Sequence, residues 1–350
     1  MKRRVVSIVL AAAMCMSLAA CGSSSDSSNE SSAADSTASE ESESSSDEEV
    51  NICFVLKTTS AEVYKIIMAG AQEYADTHEG VNLDIKGASS ETAYDEQMNL
   101  IETALSSGTY DAMIIHPSEP DMVTTLVSGQ TIPIIDFESE FEADEVVSFV
   151  GISQQDAGKT GAEAAVELAE ELGWEELNAI AIAGIQGDSN SEARVEGYQM
   201  GVEEAGGTFL EDETQYSDAV ADDAVTCMEA IMQNHPEGVA MILCHNDDVA
   251  MAAARAAEGN EAYENTVFCG WDGISSACEA ILNGEETMSI SVDWYGCGYD
   301  AVEAAVAAAR GEDVEEEIYT DVSILTEENA QEYYDTLQTY LEDVEEEEEE

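Results

Sequence analysis

Short runs of apolar, mostly β-branched residues alternate along this chain with longer segments of helical periodicity. Ile52–Leu56 precedes a helical pattern over residues 61–78, and Val81–Ile85 precedes another over residues 92–107. Strands that are apolar on both faces and alternate with helices are typical of parallel sheets covered by helices on both sides. The further predicted strands lie at 112–116, 132–136, 146–150, 179–183, 241–244, 267–271 and 288–292, and the further predicted helices at 121–128, 192–205, 218–233, 247–258 and 298–310.

The alternating region covers residues 50–340 and is long enough for two lobes with separate cores. The predicted fold class is therefore α/β, with two doubly wound parallel-sheet lobes joined by a hinge. In open sheets of this kind, a ligand binds beyond the carboxyl ends of the strands. Functional side chains should therefore follow directly after the predicted strands.

The N-terminus has the pattern of an export signal. Three basic residues at positions 2–4 precede an apolar run over residues 5–18, which is too short for a stable transmembrane helix. The run ends in Leu18-Ala-Ala-Cys21-Gly22, which resembles a lipoprotein signal that is cut before the cysteine. We therefore expect residues 1–20 to be removed and Cys21 to carry a lipid. An ordinary signal peptide with an incidental cysteine is the alternative.

The segment after Cys21 differs in composition from the rest of the chain. Residues 21–49 contain no aromatic or large aliphatic side chain, so they cannot bury enough surface to offset the entropy lost on ordering. We interpret them as a disordered tether, which places the folded part outside the cytoplasm on a lipid anchor. Residues 342–350 are predicted to form an acidic tail.

The charge of the chain excludes some partners. It has 77 acidic residues against 10 lysines and arginines, which gives a formal net charge of −67. Such an excess repels nucleic acid and anionic lipid surfaces, so membrane contact is expected through the lipid anchor alone. We interpret the acidity as a solvated surface, with a cation-binding role as the alternative.

The cysteines after Cys21 lie in apolar strand-like or helix-like runs and form no C-x-x-C pair. Free buried thiols are therefore expected, although an exported protein can also form one or two disulfides. These cysteines are Cys53, Cys227, Cys244, Cys269, Cys278 and Cys297.

Polar and aromatic side chains follow the predicted strands. Carboxylates, amides and an arginine can bond sugar hydroxyls, which donate and accept at once, while aromatic rings pack on the C–H faces of a sugar. The predicted ligand-binding residues are Lys57, Ser60, Tyr64, His116, Glu138, Arg194, Asn246, Trp271, Asp272, Asp293 and Trp294.

Seven short motifs resemble, in order, those of the type I periplasmic binding proteins for ribose, galactose and related sugars. This resemblance extends over residues 51–340. The motifs are Gly70-Ala-Gln72 (G-A-Q), Asp111–Pro117 (D-A-I-I-I-N-P), Ile132–Ile135 (I-P-V-I), Arg194-Val-Glu-Gly197 within A-R-x-x-G, Asn246–Ala250 (N-D-x-x-A), Gly270–Gly273 (G-F-D-G) and Thr326–Asn329 (T-x-E-N).

The resemblance implies a receptor that closes on a small ligand and delivers it to the permease of an ABC importer. One lobe would contain residues 50–150 and 294–320, and the other residues 151–293 and 321–341, with three hinge crossings. Arg194, Asn246 and Asp272 match ligand-binding positions of the family. A monomer without cofactor, metal ion or catalytic activity is expected. A lipoprotein that presents a ligand to a membrane receptor is the alternative function.

The chain also departs from the family pattern. Glu138-Ser139 stands where an aspartate-arginine pair is common, and Lys57 where a small polar residue is common. His116 replaces a usual asparagine, and Val292–Tyr295 has no clean match to the family's glutamine. These differences argue against ribose itself, and Lys57 with Arg194 can suit an acidic sugar or another anion.

Several predicted site residues have structural alternatives. Arg194 can form a surface ion pair, and Asn246 and Asp272 can cap the helices that follow them. Tyr64, His116 and Trp271 can be ordinary core residues.

Other function classes fit poorly. Cys244–Asp248 has metal-binding atoms, but adjacent residues do not converge on one ion. No phosphate-binding loop and no G-x-S-x-G motif occurs, and abundant carboxylates alone do not indicate acid–base catalysis. A DNA-binding regulator is excluded by the net charge and by the signal at the N-terminus.

Overall fold

The computed structural model describes residues 49–349, and the side chains of residues 49–341. The predicted signal peptide, the lipidated Cys21 and nearly all of the tether lie outside the described residues, as do the side chains of the acidic tail. The strands are β1 (Val50–Thr58), β2 (Val81–Ala88), β3 (Ala112–Ile115), β4 (Ile134–Phe137), β5 (Val146–Gly151), β6 (Asn178–Ala183), β7 (Thr208–Phe209), β8 (Gln215–Tyr216), β9 (Met241–Cys244), β10 (Val267–Asp272), β11 (Met288–Val292), β12 (Glu317–Tyr319) and β13 (Val322–Leu325).

Helices alternate with these strands along the chain. They are α1 (Glu62–Thr77), α2 (Tyr94–Ser107), α3 (Pro120–Val127), α4 (Gln154–Glu171), α5 (Ser189–Glu204), α6 (Ala221–Asn234), α7 (Asp247–Ala257), α8 (Ser275–Asn283), α9 (Trp294–Ala309) and α10 (Ala330–Glu349). Helices α4, α8 and α10 were not predicted, and α9 begins at Trp294 rather than at the predicted Gly298.

The strands form two sheets, and this confirms the predicted α/β class. The first sheet has the order β12-β5-β4-β3-β1-β2, with every pair parallel. The second has the order β13-β11-β10-β9-β6-β7, with β8 beside β6, and its only antiparallel pair in the described chain is β11 with β13.

Both faces of the central strands are buried, as their apolar runs predict. In β1, Ile52 and Phe54 pack into one apolar cluster, whereas Cys53 and Val55 pack into another. Successive side chains of a strand point to opposite faces, so a strand covered by helices on both sides must be apolar at every position. The same alternation holds for residues 179–182 of β6.

Sheet membership supports the predicted lobes. The chain leaves the first sheet after β5, returns through α9 and β12, and ends in the second sheet with β13 and α10. It therefore passes between the sheets three times, near residues 152, 293 and 320. The lobe boundaries stay a prediction, and this topology is what supports them.

The structure also bears on the state of the cysteines and on membrane-spanning helices. The cysteines at positions 53, 227, 244, 269, 278 and 297 are all free and buried. Among the described residues, no helix is both long enough and apolar enough to cross a membrane.

Candidate ligand-binding cleft

The carboxyl ends of the central strands bring most of the predicted site residues together in two groups. We call the group from the first sheet the first wall and the group from the second sheet the second wall. The first wall consists of Lys57, Tyr64, His116, Glu138 and Ser139, and the second of Gln154, Arg194, His245, Trp271 and Asp272.

Arg194 lies at the centre of the second wall and is almost fully buried. Its Nε donates to Gln154 Oε1 at 2.8 Å, and its Nη1 donates to the carbonyl oxygen of His245 at 2.7 Å. Its guanidinium carbon lies 4.1 Å from the centre of the Trp271 ring, which adds a cation–π contact. These contacts fix the guanidinium and contradict the alternative of a surface ion pair.

Trp271 is fully buried beneath Arg194. Its other ring contact is with Tyr198, edge to face, at 6.3 Å between ring centroids. The structure therefore places this indole against the arginine, where it helps to hold the guanidinium.

Asp272 ends β10 with a φ of 109°, in the left-handed region that few non-glycine residues adopt. Burial raises the pKa of its carboxyl group to about 7, against the opposing effect of the Arg194 charge. The following helix α8 has Ile274 at its N-cap, so the alternative that Asp272 caps it is wrong. Asn246 does cap its helix, because its Oδ1 accepts a hydrogen bond from the Val249 amide at 3.0 Å.

Glu138 belongs to the first wall but is held from the second. Its Oε2 accepts a hydrogen bond from Gln154 Nε2 at 3.1 Å, and its Oε1 is buried without a partner in the described chain. Burial raises its pKa to about 7, although Arg194 and Lys57 both act to lower it. Gln154 thus bridges Glu138 and Arg194 across the two walls.

Two of the departures of the first wall from the family pattern, Lys57 and Ser139, are in direct contact. Lys57 Nζ donates to Ser139 Oγ at 3.0 Å. A cation from β1 therefore stands beside the position after β4 where an arginine is common in the family. Burial lowers the pKa of Lys57, and the nearby Glu138 carboxylate opposes this effect.

His116 and Tyr64 form the apolar part of the first wall. The His116 ring lies 5.8 Å from the Tyr64 ring and 5.5 Å from the Phe137 ring, between centroids. Burial and the Lys57 charge hold the pKa of His116 well below its usual range, so the imidazole is neutral. Its buried Nδ1 has no partner among the described residues.

In the described chain, Ser60, Asp293 and Trp294 form no side-chain hydrogen bond or ring contact with either wall. Ser60 is exposed, and its hydroxyl lies 3.1 Å from that of Thr58. Asp293 is exposed and caps α9 by accepting from the Gly296 amide at 2.9 Å. Asp293 and Trp294 line a separate cavity of 160 Å³, with Tyr333 and other residues of the hinge region.

Gln154 is a central residue of the walls that the sequence analysis did not predict. It is the first residue of α4, which begins after Ser153, and the Ser153 Oγ accepts from the Asp156 amide at 3.2 Å. The pattern Ser153-x-x-Asp156 is a helix-start signal and would have placed Gln154 at a helix N-terminus beside the cleft.

The described residues contain no group of three or more histidines, cysteines or acids arranged to hold a metal ion. The two walls contain two acids, two cations, one amide, one aliphatic hydroxyl and four ring side chains. Such a set can bond a small polar molecule.

Residues 52–313 match the family described as the periplasmic binding protein domain. The ribose import binding protein of Salmonella typhi is 24% identical over 277 residues, which cover 78% of this chain and 90% of that protein. The D-allose-binding periplasmic protein of Escherichia coli K12 is 25% identical over 263 residues, which cover 73% and 83%.

The fold also matches solved structures. A carbohydrate transporter solute-binding protein from Agrobacterium radiobacter, in complex with D-arabinose, has a TM-score of 0.71 and 22% identity, covering 84% of this chain and 99% of that one. A solute-binding protein from Bacillus halodurans, with bound myo-inositol, has a TM-score of 0.68 and 24% identity, covering 82% and 98%. The chain belongs to the periplasmic binding protein family, whose members are extracytoplasmic binding proteins and not enzymes.

Proposed function

We propose that this protein captures a neutral carbohydrate or polyol between the two walls and delivers it to an ABC importer. The observation that carries this proposal is the arrangement around Arg194, which is stacked on Trp271 and bridged through Gln154 to Glu138. Sugar hydroxyls can donate to Glu138 and Asp272 and accept from Arg194 and Lys57 at the same time.

The charges favour a neutral ligand over the acidic sugar that the sequence left open. In the described chain, Glu138, Asp272 and the nearby Glu91 and Asp188 offset the positive charges of Arg194 and Lys57, which disfavours an anion. Glu138 and Gln154 also line a groove of 1,010 Å³ with no basic residue in its lining. The acids Asp121, Glu140, Glu142, Glu316 and Glu317 of this lining would repel an anion that entered through the groove.

Relatives support the same ligand class. The two curated relatives described above are named for ribose and D-allose, and the two structures contain D-arabinose and myo-inositol. The identities near 25% support a class of ligand and do not select one sugar.

Hinge closure is the proposed mechanism of capture. Three contacts join elements of the two sheets around the walls. Gln154 bonds Glu138 as above, Asn190 Nδ2 donates to Ser139 Oγ at 3.4 Å, and the Ser275 amide donates to Glu62 Oε1 at 2.6 Å. A closed ligand complex would present both lobes to the permease in one fixed arrangement.

We also propose that the mature protein is a monomer anchored by a lipid on Cys21, with residues 22–49 as a tether. Replacement of Cys21 by serine should move the protein from the membrane fraction to the soluble fraction after cell breakage. Mass spectrometry of the mature N-terminus measures the lipid directly, and light scattering of the protein from residue 50 onward measures its mass.

A ligand screen by thermal shift tests the function. The protein from residue 50 onward is combined with D-ribose, D-allose, D-arabinose, myo-inositol, galacturonate and adenosine, each at millimolar concentration. A ligand present at 1,000 times its dissociation constant adds about 4 kcal/mol to the free energy of unfolding, and so raises Tm clearly. A shift from a neutral sugar or cyclitol supports the proposal, whereas a shift from galacturonate or adenosine alone would refute it.

A further inference from the structure

A buried carboxyl group lies directly behind the Asp272 turn. Asp247, the first residue of α7, is fully buried and accepts three hydrogen bonds. The amides of Gly273 and Ile274 donate to its Oδ2 at 2.8 and 3.0 Å, and Ser289 Oγ donates to its Oδ1 at 2.6 Å. The two amides belong to the residues that follow Asp272, so Asp247 fixes the turn that sets the unusual backbone of Asp272.

A second carboxyl group, that of Glu286, meets Asp247. Glu286 is 3% exposed, and neither of its oxygens forms a hydrogen bond of ordinary geometry among the described residues, although the Gly270 amide faces the carboxyl group and acts to lower its pKa. A Cβ added at Gly270 would lie 2.2 Å from Asp247 Oδ1 and 2.2 Å from Glu286 Oε1. Both oxygens therefore lie close to Gly270, and the distance between them is at most twice 2.2 Å.

Among the described residues, no cation forms an ion pair with these two carboxyl groups. The titratable groups that face the pair are all acids, thiols or a phenol, so none of them can neutralise a second negative charge. They are Asp248 of α7, Cys244 of β9, Cys269 and Asp272 of β10, Cys278 of α8 and Tyr333 of α10.

We propose that Asp247 and Glu286 share one proton, which Glu286 donates to Asp247 Oδ1, and that this pair positions Asp272. Two ionised carboxylates this close and this deeply buried would repel each other. A single shared proton removes the repulsion and gives Glu286 the partner that it lacks as an anion. Asp247 Oδ2 then stays free to hold the Gly273 and Ile274 amides.

The sign of the pH dependence follows from this arrangement. Burial and the neighbouring carboxylates raise the pKa of both Asp247 and Glu286. The folded protein therefore keeps a proton that the unfolded chain releases near pH 4 to 5. Stability contributed by this proton is fully present below that pH and is lost progressively as the pH rises through the raised pKa.

The test compares Glu286→Gln with Glu285→Gln, because Glu285 is the neighbouring acid and is exposed. The amide of a glutamine at 286 can donate to Asp247 Oδ1 at any pH. We therefore expect Tm of the unliganded Glu286→Gln protein to exceed that of the wild type by an amount that grows with pH. Glu285→Gln should follow the wild-type profile. Parallel Tm profiles for Glu286→Gln and the wild type would overturn the shared proton.

Infrared spectroscopy gives an independent readout. The C=O stretching band of a protonated carboxyl group should be present in the wild type at pH 7, should weaken in Glu286→Gln and should be unchanged in Glu285→Gln. An unchanged band in Glu286→Gln would also overturn the shared proton. Neither measurement needs a ligand, so their outcome does not depend on the proposed function.

The positioning of Asp272 rests on the proposed function and is tested with whichever compound the screen identifies. Affinity of the wild type should fall by about tenfold or more when the pH rises past the pKa of the pair. Affinity of Glu286→Gln should fall less over the same interval, because only the titration of groups such as Glu138 and Asp272 remains. If the Tm profiles differ as expected but the affinities remain parallel, the pair shares a proton without positioning Asp272, and that part of the proposal is wrong.

Discussion

The two walls of the cleft are held in different ways. In the second wall, Arg194 has two hydrogen bonds and an indole beneath it, and Asp272 lies on a turn anchored by Asp247. In the first wall, Lys57 has one hydrogen bond to a hydroxyl, and Glu138 is bonded by a glutamine of the other wall. The second wall is thus organised by its own lobe, whereas Glu138 of the first wall depends on a contact across the cleft.

This difference indicates that the two walls contribute differently to ligand binding. A side chain fixed before the ligand arrives costs little entropy on binding, so the second wall should supply most of the affinity. A wall whose charges depend on the opposite lobe is completed only when the lobes meet. The first wall should therefore report closure and refine specificity.

Replacement of Arg194 by alanine should cause the largest loss of ligand affinity. Loss of the guanidinium removes donors to the ligand and leaves Glu138 and Asp272 without their main cation. Removing one member of a buried charge cluster costs roughly 3 kcal/mol, so affinity should fall about 100-fold or more. Isothermal titration calorimetry with the ligand from the screen measures this loss.

Arg255→Ala is the matched control, because Arg255 is exposed on α7. It should bind like the wild type. A loss of affinity of less than threefold in Arg194→Ala would show that the second wall does not dominate binding. The proposed difference between the two walls would then be wrong.

Replacement of Lys57 by methionine should have a smaller effect, about tenfold in affinity. Methionine keeps much of the buried aliphatic length but removes the charge and the bond to Ser139. The loss should appear mainly as faster dissociation, because the closed arrangement loses a contact of the first wall. Lys159→Met, which removes a cation bonded to Glu163 and Glu204 at the surface, is the control. If Lys57→Met reduced affinity as much as Arg194→Ala does, the two walls would contribute equally to binding.

The sequence predicted the positions of strand ends well, because runs that are apolar on both faces mark buried parallel strands. Residues 241–244 and 288–292 are strands with the predicted bounds. That pattern also brought out Arg194 and Asp272, which follow such runs and match family motifs.

The contacts that complete the site could not be predicted from the sequence pattern. Gln154 bonds Glu138, which is 16 residues away, and Arg194, which is 40 residues away, so its role depends on two lobes meeting. The start of α9 was missed because Gly296, which lies between Trp294 and the predicted start, is a poor helix former. Packing requires glycine at 298, since a Cβ there would lie 2.1 Å from the Ile67 carbonyl oxygen of α1.

The pH dependence of the unliganded protein sharpens the comparison further. The pKa values of Glu138 and Asp272 are raised to about 7, above the ordinary values of 4.5 and 3.8. The folded protein therefore retains protons that the unfolded chain releases near pH 4, and its stability falls as the pH rises from about 4 to 7. Above pH 7 this loss is complete.

Glu138→Gln and Asp272→Asn should each raise Tm of the unliganded protein at pH 8, by at least about 2–4 °C. The difference from the wild type should vanish near pH 4, where these carboxyl groups are protonated in both states. Thermal unfolding followed by circular dichroism measures the profiles. A difference from the wild type that does not change with pH would show that packing, rather than ionisation, sets the stability at these positions.

Replacement of Ser60 by alanine should have the smallest effect, less than twofold in affinity. Ser60 is exposed, and its hydroxyl bonds that of Thr58, which keeps the Ser60 backbone amide as a donor at 3.4 Å when the Ser60 hydroxyl is removed. Isothermal titration calorimetry measures the affinities of Ser60→Ala and of Thr58→Val, which removes the buried hydroxyl of the same pair. A tenfold loss in Ser60→Ala would show that the β1–α1 loop closes onto the ligand when it binds. The first wall would then contribute affinity through a loop that is exposed in the unliganded protein, and closure would carry more of the binding free energy than the fixed second wall.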